Sequence, residues 1–398
     1  MTLSFAADWL NLLIRWFHLI VGIGWIGTSF YFIALDLSLR KREGMAAGVM
    51  GTSWLVHGGG FYHVDKYSVA PSQLPDDLIW YKWDAYLTWM TGFGLLVVQY
   101  YFHASTYLID PKVLQLTPFA AIAISVVSLI LGWVIYDLLC KSPIGRNTPV
   151  LALCVFVLIV GAAILFTHVF SGRGALIHVG AFIGTIMAVN VFGVIIPNQR
   201  KIVASLIGGE EPDGALGAKG KQRSVHNNYL TLPVILMMVS NHYPMLTGHP
   251  HAWLLVALVL VIGAGVRHFL NRREADDPLS RYWWSLPLAA LALIAAIILT
   301  APRTISDGET VSDGVVLAIT HKHCVMCHAE VPTHEGFDEA PNGVHLETIA
   351  DLKRYAPLIL TQAVQSDVMP LGNETEITEK EREVLGRWIA QQKPEAKE

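Results

Sequence analysis

Two cysteines and a histidine, Cys324-Val-Met-Cys327-His328, carry the most specific chemistry in the chain. A C-x-x-C-H run is the attachment pattern of c-type haem. The two thiolates add across the porphyrin vinyl groups, and the adjacent imidazole turns onto the iron as proximal ligand. C-x-x-C also occurs in redox pairs and in half of a zinc site. No second C-x-x-C follows, however, and the trailing histidine suits neither alternative. Met369, in Asp367-Val368-Met369-Pro370, lies about forty residues further on, where a small class I cytochrome c places its sixth ligand. Met326 sits between the two cysteines, too close to the attachment point to reach the opposite face. These residues predict one covalent haem c held by Cys324, Cys327, His328 and Met369. Thr378 and Glu381 form a capping-box pattern that opens a last helix. Its apolar face, Val384, Leu385, Trp388 and Ile389, is expected against a first helix near 312–323.

The elements that position this group are mostly apolar. The chain has 398 residues, 53% hydrophobic and only 15% charged, with a formal net charge of −4. Such a composition points to a membrane protein and argues against a nucleic-acid partner. Eight runs are long enough to cross a hydrocarbon core of roughly 30 Å. They fall near 9–36, 81–102, 118–139, 149–170, 174–196, 229–246, 252–271 and 284–301. The first lacks the basic start and small-residue cleavage site of a signal peptide, so it is expected to remain as a span. The fold class predicted is therefore all-α: an eight-helix membrane bundle over 1–301, a linker at 302–312, and a class I cytochrome c domain over 313–398.

Basic residues sort by side. Arg40, Lys41, Arg42 and Lys66, then Lys141 and Arg146, then Arg200 to Arg223, then Arg272, Arg273 and Arg281 fall in alternate loops. The opposite loops hold Lys112, Arg173 and Arg303. By the positive-inside rule the first set is cytoplasmic. Both termini and the haem-bearing domain are then expected outside, in the periplasm of a bacterial inner membrane, which is where c-type haem is attached. Cys140 and Cys154 lie near the cytoplasmic ends of neighbouring spans and are expected to be packing residues.

Ionisable groups inside a bilayer are costly and tend to be functional. Imidazole is also the common axial ligand of haem b. His18, His178 and His242 fall toward the periplasmic half, and His57, His63, His226 and His268 toward the cytoplasmic face. Any one of them suits a hydrogen-bonded core imidazole. As a set they predict one or two b haems, with His18, His178, His242, His226 and His268 as candidate ligands. Arg15, one turn before His18, suits a haem propionate or simple snorkelling to the interface. Glycines around His18 and after His178 leave room for a flat macrocycle or for close helix packing. The stretch from Trp54 to Tyr67 and the run His226-Asn227-Asn228-Tyr229 combine histidine, amides and aromatics at the cytoplasmic face. They suit a planar heterocycle, and they equally suit an interfacial aromatic belt.

Taken together, Arg15-Trp-Phe-His18, the run Gly58–His63, His226-Asn-Asn-Tyr-Leu-Thr-Leu-Pro and the fused C-x-x-C-H domain resemble bacterial membrane-bound urate hydroxylases. These are the cytochrome c-linked urate oxidases of purine catabolism. The resemblance covers essentially the whole chain, and the order of eight spans and then one c haem is its most distinctive part. It implies oxidation of urate to 5-hydroxyisourate with water as the oxygen source. Electrons would leave through the cytochrome to a terminal oxidase or a soluble cytochrome c.

Such chemistry needs a base to activate water and a surface to hold the flat anion. The candidates at the basic face are His57, His63, Asp65 and Asp84 for proton transfer. Phe61, Tyr62 and Trp83 are candidates for stacking, and Asn227 and Asn228 for hydrogen bonding. An intramembrane haem b is then expected as the relay to the far side. A second function of a different class is an electron-transfer anchor that passes electrons from quinol or a partner dehydrogenase without a catalytic site of its own. A homo-oligomer is compatible with either. Transport fits less well, because no pair of Gly/Pro-broken spans repeats between halves.

Overall fold

The computed structural model describes residues 3–67, 75, 77–302, 305 and 308–392, with side chains from residue 9 onward. The chain is mostly helical. Helix α1 spans Leu3–Ser38, and strands β1 (Val49–His57) and β2 (Gly60–Tyr67) follow as one hairpin. Then come α2 (Trp83–Leu96), α3 (Pro118–Lys141), α4 (Thr148–Thr167), α5 (Gly172–Val189) and α6 (Ile196–Ile207). After these are α7 (Gly214–Val239), α8 (Pro244–Thr247), α9 (Ala252–Glu274) and α10 (Ser285–Leu299). The C-terminal part holds α11 (Asp313–His323), α12 (Val325–His328), α13 (Ile349–Arg354), α14 (Ala356–Ile359) and α15 (Glu379–Gln391).

Sequence signals start these helices. Thr117, Asn147 and Ser171 each accept from a backbone N–H three residues on, and Pro118 and Pro149 occupy first-turn positions where their missing N–H is no loss. Asp213 caps α7 in the same way, through the N–H of Ala215. Five helical stretches are long and apolar enough to cross a membrane: Trp9–Ser38, Pro118–Lys141, Thr148–Thr167, Gly172–Ile207 and Ala252–Glu274. Their outward side chains, among them Leu131, Leu153 and Val157, are exposed and apolar, as lipid contact requires.

The other three expected spans are helical but differ in form. The second is α2, prolonged by a π-turn over Val97–Tyr101. The sixth begins earlier than expected, because α7 starts at Gly214 with a polar half. It ends at Val239, where Tyr243 before Pro244 is held extended. The eighth, α10, has 15 residues, about 22 Å of helix.

The hairpin departs from an all-α chain. Its strands pair from Val49↔Tyr67 to His57↔Gly60, closed by Gly58 and Gly59, both at positive φ. A Gly-Gly pair supplies that geometry without steric cost. The hairpin's base is fastened to the end of α1 by Ser38–Ser53 at 2.9 Å, by paired backbone bonds between Arg40 and Thr52, and by the Lys66–Asp36 ion pair.

Among the described residues there are two large hydrophobic cores and a small cluster of Ala85, Val191 and Ile196. One runs through α3, α4, α5, α7 and α9, with Tyr136, Ile159, Phe166 and Ile183 wholly enclosed. The other belongs to the C-terminal part, around Val316, Leu352, Ile377, Leu385 and Trp388. There the capping box of Thr378 and Glu381 forms, and Trp388 Nε1 donates to Asp313 at 2.8 Å, tying α15 to α11. The expected linker at 302–312 lies partly outside the described residues.

The C-terminal part packs on one end of the bundle. Lys112 Nζ donates to the carbonyl of Ile377 at 2.8 Å. Gly372 lies against the carbonyl of Ile109, and Gly248 against the backbone at Asp367. This is the end that carries Lys112 and Arg173. At the other end Arg40 meets Asp276 at 3.8 Å, which joins the first and last basic loops.

Candidate functional site

In the C-terminal part, α11 ends at His323 and the chain turns at Cys324 into the short α12. This places Cys327 and His328 one turn beyond Cys324. His328 Nδ1 donates to the carbonyl of Val344 at 2.8 Å, which leaves Nε2 as the free lone pair. Burial holds its pKa below the usual imidazole value, so the ring is neutral, the form that binds iron. Cys324 and Cys327 are free thiols. Burial pushes Cys324 up to about 12 and Cys327 up to about 11. Met369 packs on the same core, and its carbonyl accepts from Arg382 at 2.8 Å. Two free thiols, an oriented neutral imidazole and a nearby thioether are the donor set a c-type haem requires, and the residues fit it.

Within the bundle, an axial ligand needs one ring nitrogen free. His18 Nδ1 bonds Thr91 Oγ1 at 3.0 Å, and its ring lies where a Cβ on Gly92 would sit, 2.9 Å from Cε1. The ring also lies within hydrogen-bond reach of the Thr88 backbone. His178 is wholly buried, with Nδ1 on the carbonyl of Gly174 and Nε2 on Ser125 Oγ, each at 2.7 Å. Both of its nitrogens are therefore committed, and Phe166, Phe170 and Tyr100 enclose the ring. His242 is exposed in the turn Ser240–His242. Arg15 donates to Gln99 at 3.0 Å rather than to a carboxylate. The residues around His18 fit haem b, and His178 has both ring nitrogens hydrogen-bonded in this structure.

The cytoplasmic-face candidates separate into two groups. His57, Phe61, Tyr62 and His63 lie on the hairpin, where Phe61 is 76% exposed. The His63 ring packs at a tilt against Trp54, with centroids 4.5 Å apart, and lies 3.5 Å from Asp65. Trp83 is exposed at the start of α2, and the Asp84 carboxylate faces Gly24 of α1. His226 and Asn227, by contrast, are drawn into a buried polar cluster, and Asn228 faces the other way, toward α9.

That cluster is built from three helices. Asn190 sits in the π-turn that joins α5 to α6, an irregularity that aims it inward. Its Nδ2 donates to Tyr136 OH and to Asn227 Oδ1, each at 3.0 Å. Asn227 Nδ2 in turn donates to the carbonyl of Met187 at 2.9 Å, which fixes both amides. Tyr136 OH lies 2.7 Å from His226 Nδ1, and with Asn190 donating to it, the hydroxyl proton points to that nitrogen. Asp137 and Arg223, both buried, pair at 2.7 Å, and the guanidinium lies 4.9 Å from the centre of the Tyr136 ring. Among the described residues, Asn190 Oδ1 and Arg223 Nη1 of this cluster keep no hydrogen-bond partner.

Sequence reasoning passed over Tyr136, Asp137, Asn190 and Arg223. The signal was available: Asp137 and Asn190 interrupt runs otherwise apolar, and a charge within a span is a functional marker by default. No group of three metal-ligating side chains occurs among the described residues.

The urate oxidase N-terminal family matches residues 4–301, three-quarters of the chain. The chain belongs to that family. Neither a curated protein nor a solved structure matches it. The match covers the bundle and stops where the C-terminal part begins, so membership makes the protein urate-oxidase-related. The buried cluster around Tyr136 and His226 lies wholly within the matched residues.

Proposed function

We propose that the protein is a membrane-bound urate hydroxylase that delivers electrons to its own C-terminal domain. The supporting observation is the union of a family domain for urate oxidation with a separately cored, docked domain whose C-x-x-C-H histidine is already oriented by Val344. Urate and water would give 5-hydroxyisourate, two protons and two electrons. The C5–O bond forms as the water loses one O–H proton, the second proton leaves from a urate N–H, and the electrons leave singly.

His226 is the base we assign. Neutral, with Nδ1 held by Tyr136, it presents Nε2 and can exchange protons with solvent through the tyrosine. Asn190 and Arg223 would hold the heterocycle through their open Oδ1 and Nη1. In this reading the bundle has eight spans with its basic end cytoplasmic, which the charge pattern and a C-terminal domain docked at the other end support. Cys324, Cys327, His328 and Met369 would hold a haem c that takes electrons one at a time, and His18 would hold a haem b within the bundle. The final acceptors are a soluble cytochrome c or a terminal oxidase of the inner membrane.

The test is the origin of the oxygen. Turnover in 18O-water should place the label in 5-hydroxyisourate without forming peroxide. Label taken from O2, or stoichiometric peroxide, would overturn the proposal.

A further inference from the structure

Lys112 and Arg173 stand at the end of the bundle that is poor in cations, and the C-terminal part packs on that same end. Lys112 has its partner in the carbonyl of Ile377. Arg173 instead lines a cavity of about 30 Å³ at the seam, walled by Tyr107 and Thr247 of the bundle and by Asp367, Val368 and Leu371 of the C-terminal part. Arg173 Nε and Thr247 Oγ1 are buried atoms, and neither has a hydrogen-bond partner among the described residues. Thr247 as a whole is only 3% exposed. Two open polar groups, one of them cationic, thus face a seam between domains, an arrangement that costs stability.

The backbone fixes this wall. Ser171, which caps α5, donates its Oγ to the carbonyl of Tyr107 at 2.6 Å, and its N–H donates to the carbonyl of Leu108 at 2.9 Å. Gly172 meets Thr247 so closely that a Cβ would stand 1.8 Å from the threonine carbonyl oxygen. Tyr107 in the π-turn Ala104–Leu108, Arg173 at the start of α5 and Thr247 at the end of α8 are therefore tied into one corner. Gly248 lets the C-terminal part close on it, since a Cβ there would stand 2.7 Å from the backbone nitrogen of Asp367.

This corner adjoins the haem-binding residues on two sides. Val368 precedes Met369, and Tyr107 lies within electrostatic reach of Cys327. The bundle thus meets the C-terminal part beside both an attachment thiol and the thioether. Behind Tyr107, rings lead inward. Its centre is 6.5 Å from that of Tyr100, which is 6.2 Å from that of His178 in the core.

We propose that this corner is the electron-entry port of the C-terminal domain, with Tyr107 as the ring through which electrons leave the bundle and Arg173 as a positioning cation beside the haem. For the source of the electrons this rests on the hydroxylase assignment above. Each electron released by urate oxidation reduces ferric haem c to ferrous, and Tyr107 is itself neither oxidised nor deprotonated. A cation beside the iron favours the ferrous state, which carries one positive charge fewer.

The test uses the full-length, haem-loaded protein in detergent. A mediated redox titration needs no urate. It should show the c-haem midpoint of Arg173→Gln lowered by at least ~28 mV, a threefold change in the ferric-to-ferrous ratio at 59 mV per tenfold. Arg173→Lys keeps the charge and should shift less than half as far, and Arg173→Met reads the same loss if the Gln variant fails to accumulate. Tyr107→Leu should leave the midpoint unchanged but slow the anaerobic reduction of the c band by urate at least ~10-fold, whereas Tyr107→Phe keeps the ring and should follow wild type. Gly248→Ala, which pushes Asp367 away and alters neither side chain, should also slow that reduction, and it replaces Tyr107→Leu if the latter does not fold. An unchanged midpoint in Arg173→Gln, or an unchanged rate in Tyr107→Leu, overturns the port, as does a wild type without c-type absorbance. If urate leaves the wild-type haem oxidised while dithionite reduces it, the hydroxylase assignment falls and the midpoint alone decides the port.

Discussion

Replacing Asp137 by Asn tests whether the buried cluster is held by its ion pair. Asp137 and Arg223 are 5% and 3% exposed and pair at 2.7 Å. Removing one partner of such a pair strands the other charge, at about 3–5 kcal/mol. Lys141 also approaches Asp137, at 2.5 Å, but its side chain is 65% exposed, so its loss adds less than about 1 kcal/mol. The whole effect should then be roughly 3–5 kcal/mol. At about 2 °C per kcal/mol for a large chain, that lowers the melting temperature by some 6–10 °C. The double variant Asp137→Leu with Arg223→Met removes both charges and keeps apolar volume. It should recover most of the loss, because a buried pair exchanged for packed apolar groups is near neutral. Thermal unfolding of the purified full-length protein, followed by tryptophan fluorescence, reads all three melting temperatures. A loss under about 1 kcal/mol for Asp137→Asn, or a double variant as unstable as the summed single losses, would refute the reasoning.

Three further outcomes follow from the same geometry. Gly263→Ala should destabilise by at least about 1–3 kcal/mol, since the new Cβ would stand 2.6 Å from Pro233 and force α7 and α9 apart; an unchanged melting temperature counts against the tight crossing. Glu381 accepts from the backbone N–H of Thr378 and from Lys322, which together hold its pKa well below the usual carboxylate value. A depressed folded pKa adds stability above the unfolded value of about 4.3, lost as pH falls toward the folded one. Glu381→Gln should therefore flatten the acid side of the stability profile below about pH 5, and an unaltered acid limb would contradict it. Tyr136→Phe removes the hydroxyl on His226 Nδ1 and should lower kcat by about 10²-fold or more with haem content unchanged; wild-type turnover would remove His226 from its proposed role.

How much of this was legible in the sequence depends on how far apart the partners lie along the chain. The C-x-x-C-H run and the Thr378–Glu381 box are local patterns, read in one glance, and the structure forms the box as its spacing requires. The long apolar runs were legible for the same reason, since hydropathy is a local sum. The hairpin was overlooked although its Gly58-Gly59 turn is a recognised signal, because aromatic residues beside a span read equally as an interfacial belt. The buried cluster was beyond local reading. Tyr136, Asn190 and Arg223 come from α3, the α5–α6 π-turn and α7, and only tertiary packing brings them together. The same holds for Tyr107, Arg173 and Asp367, which three separate stretches of chain bring to one seam. His178 is a further case: Ser125 and Gly174 bond both its ring nitrogens, a contact that no spacing rule foretells.

The central claim is that urate is the electron donor to the C-terminal domain within one polypeptide. Urate added anaerobically to the oxidised, purified protein, with the haem absorption bands recorded, tests it most directly. Reduction of the c-type band on adding urate, with two equivalents of acceptor consumed per urate lost, is the predicted result. A flat spectrum in a sample that dithionite still reduces would contradict it and make the bundle an electron-transfer anchor for some other donor.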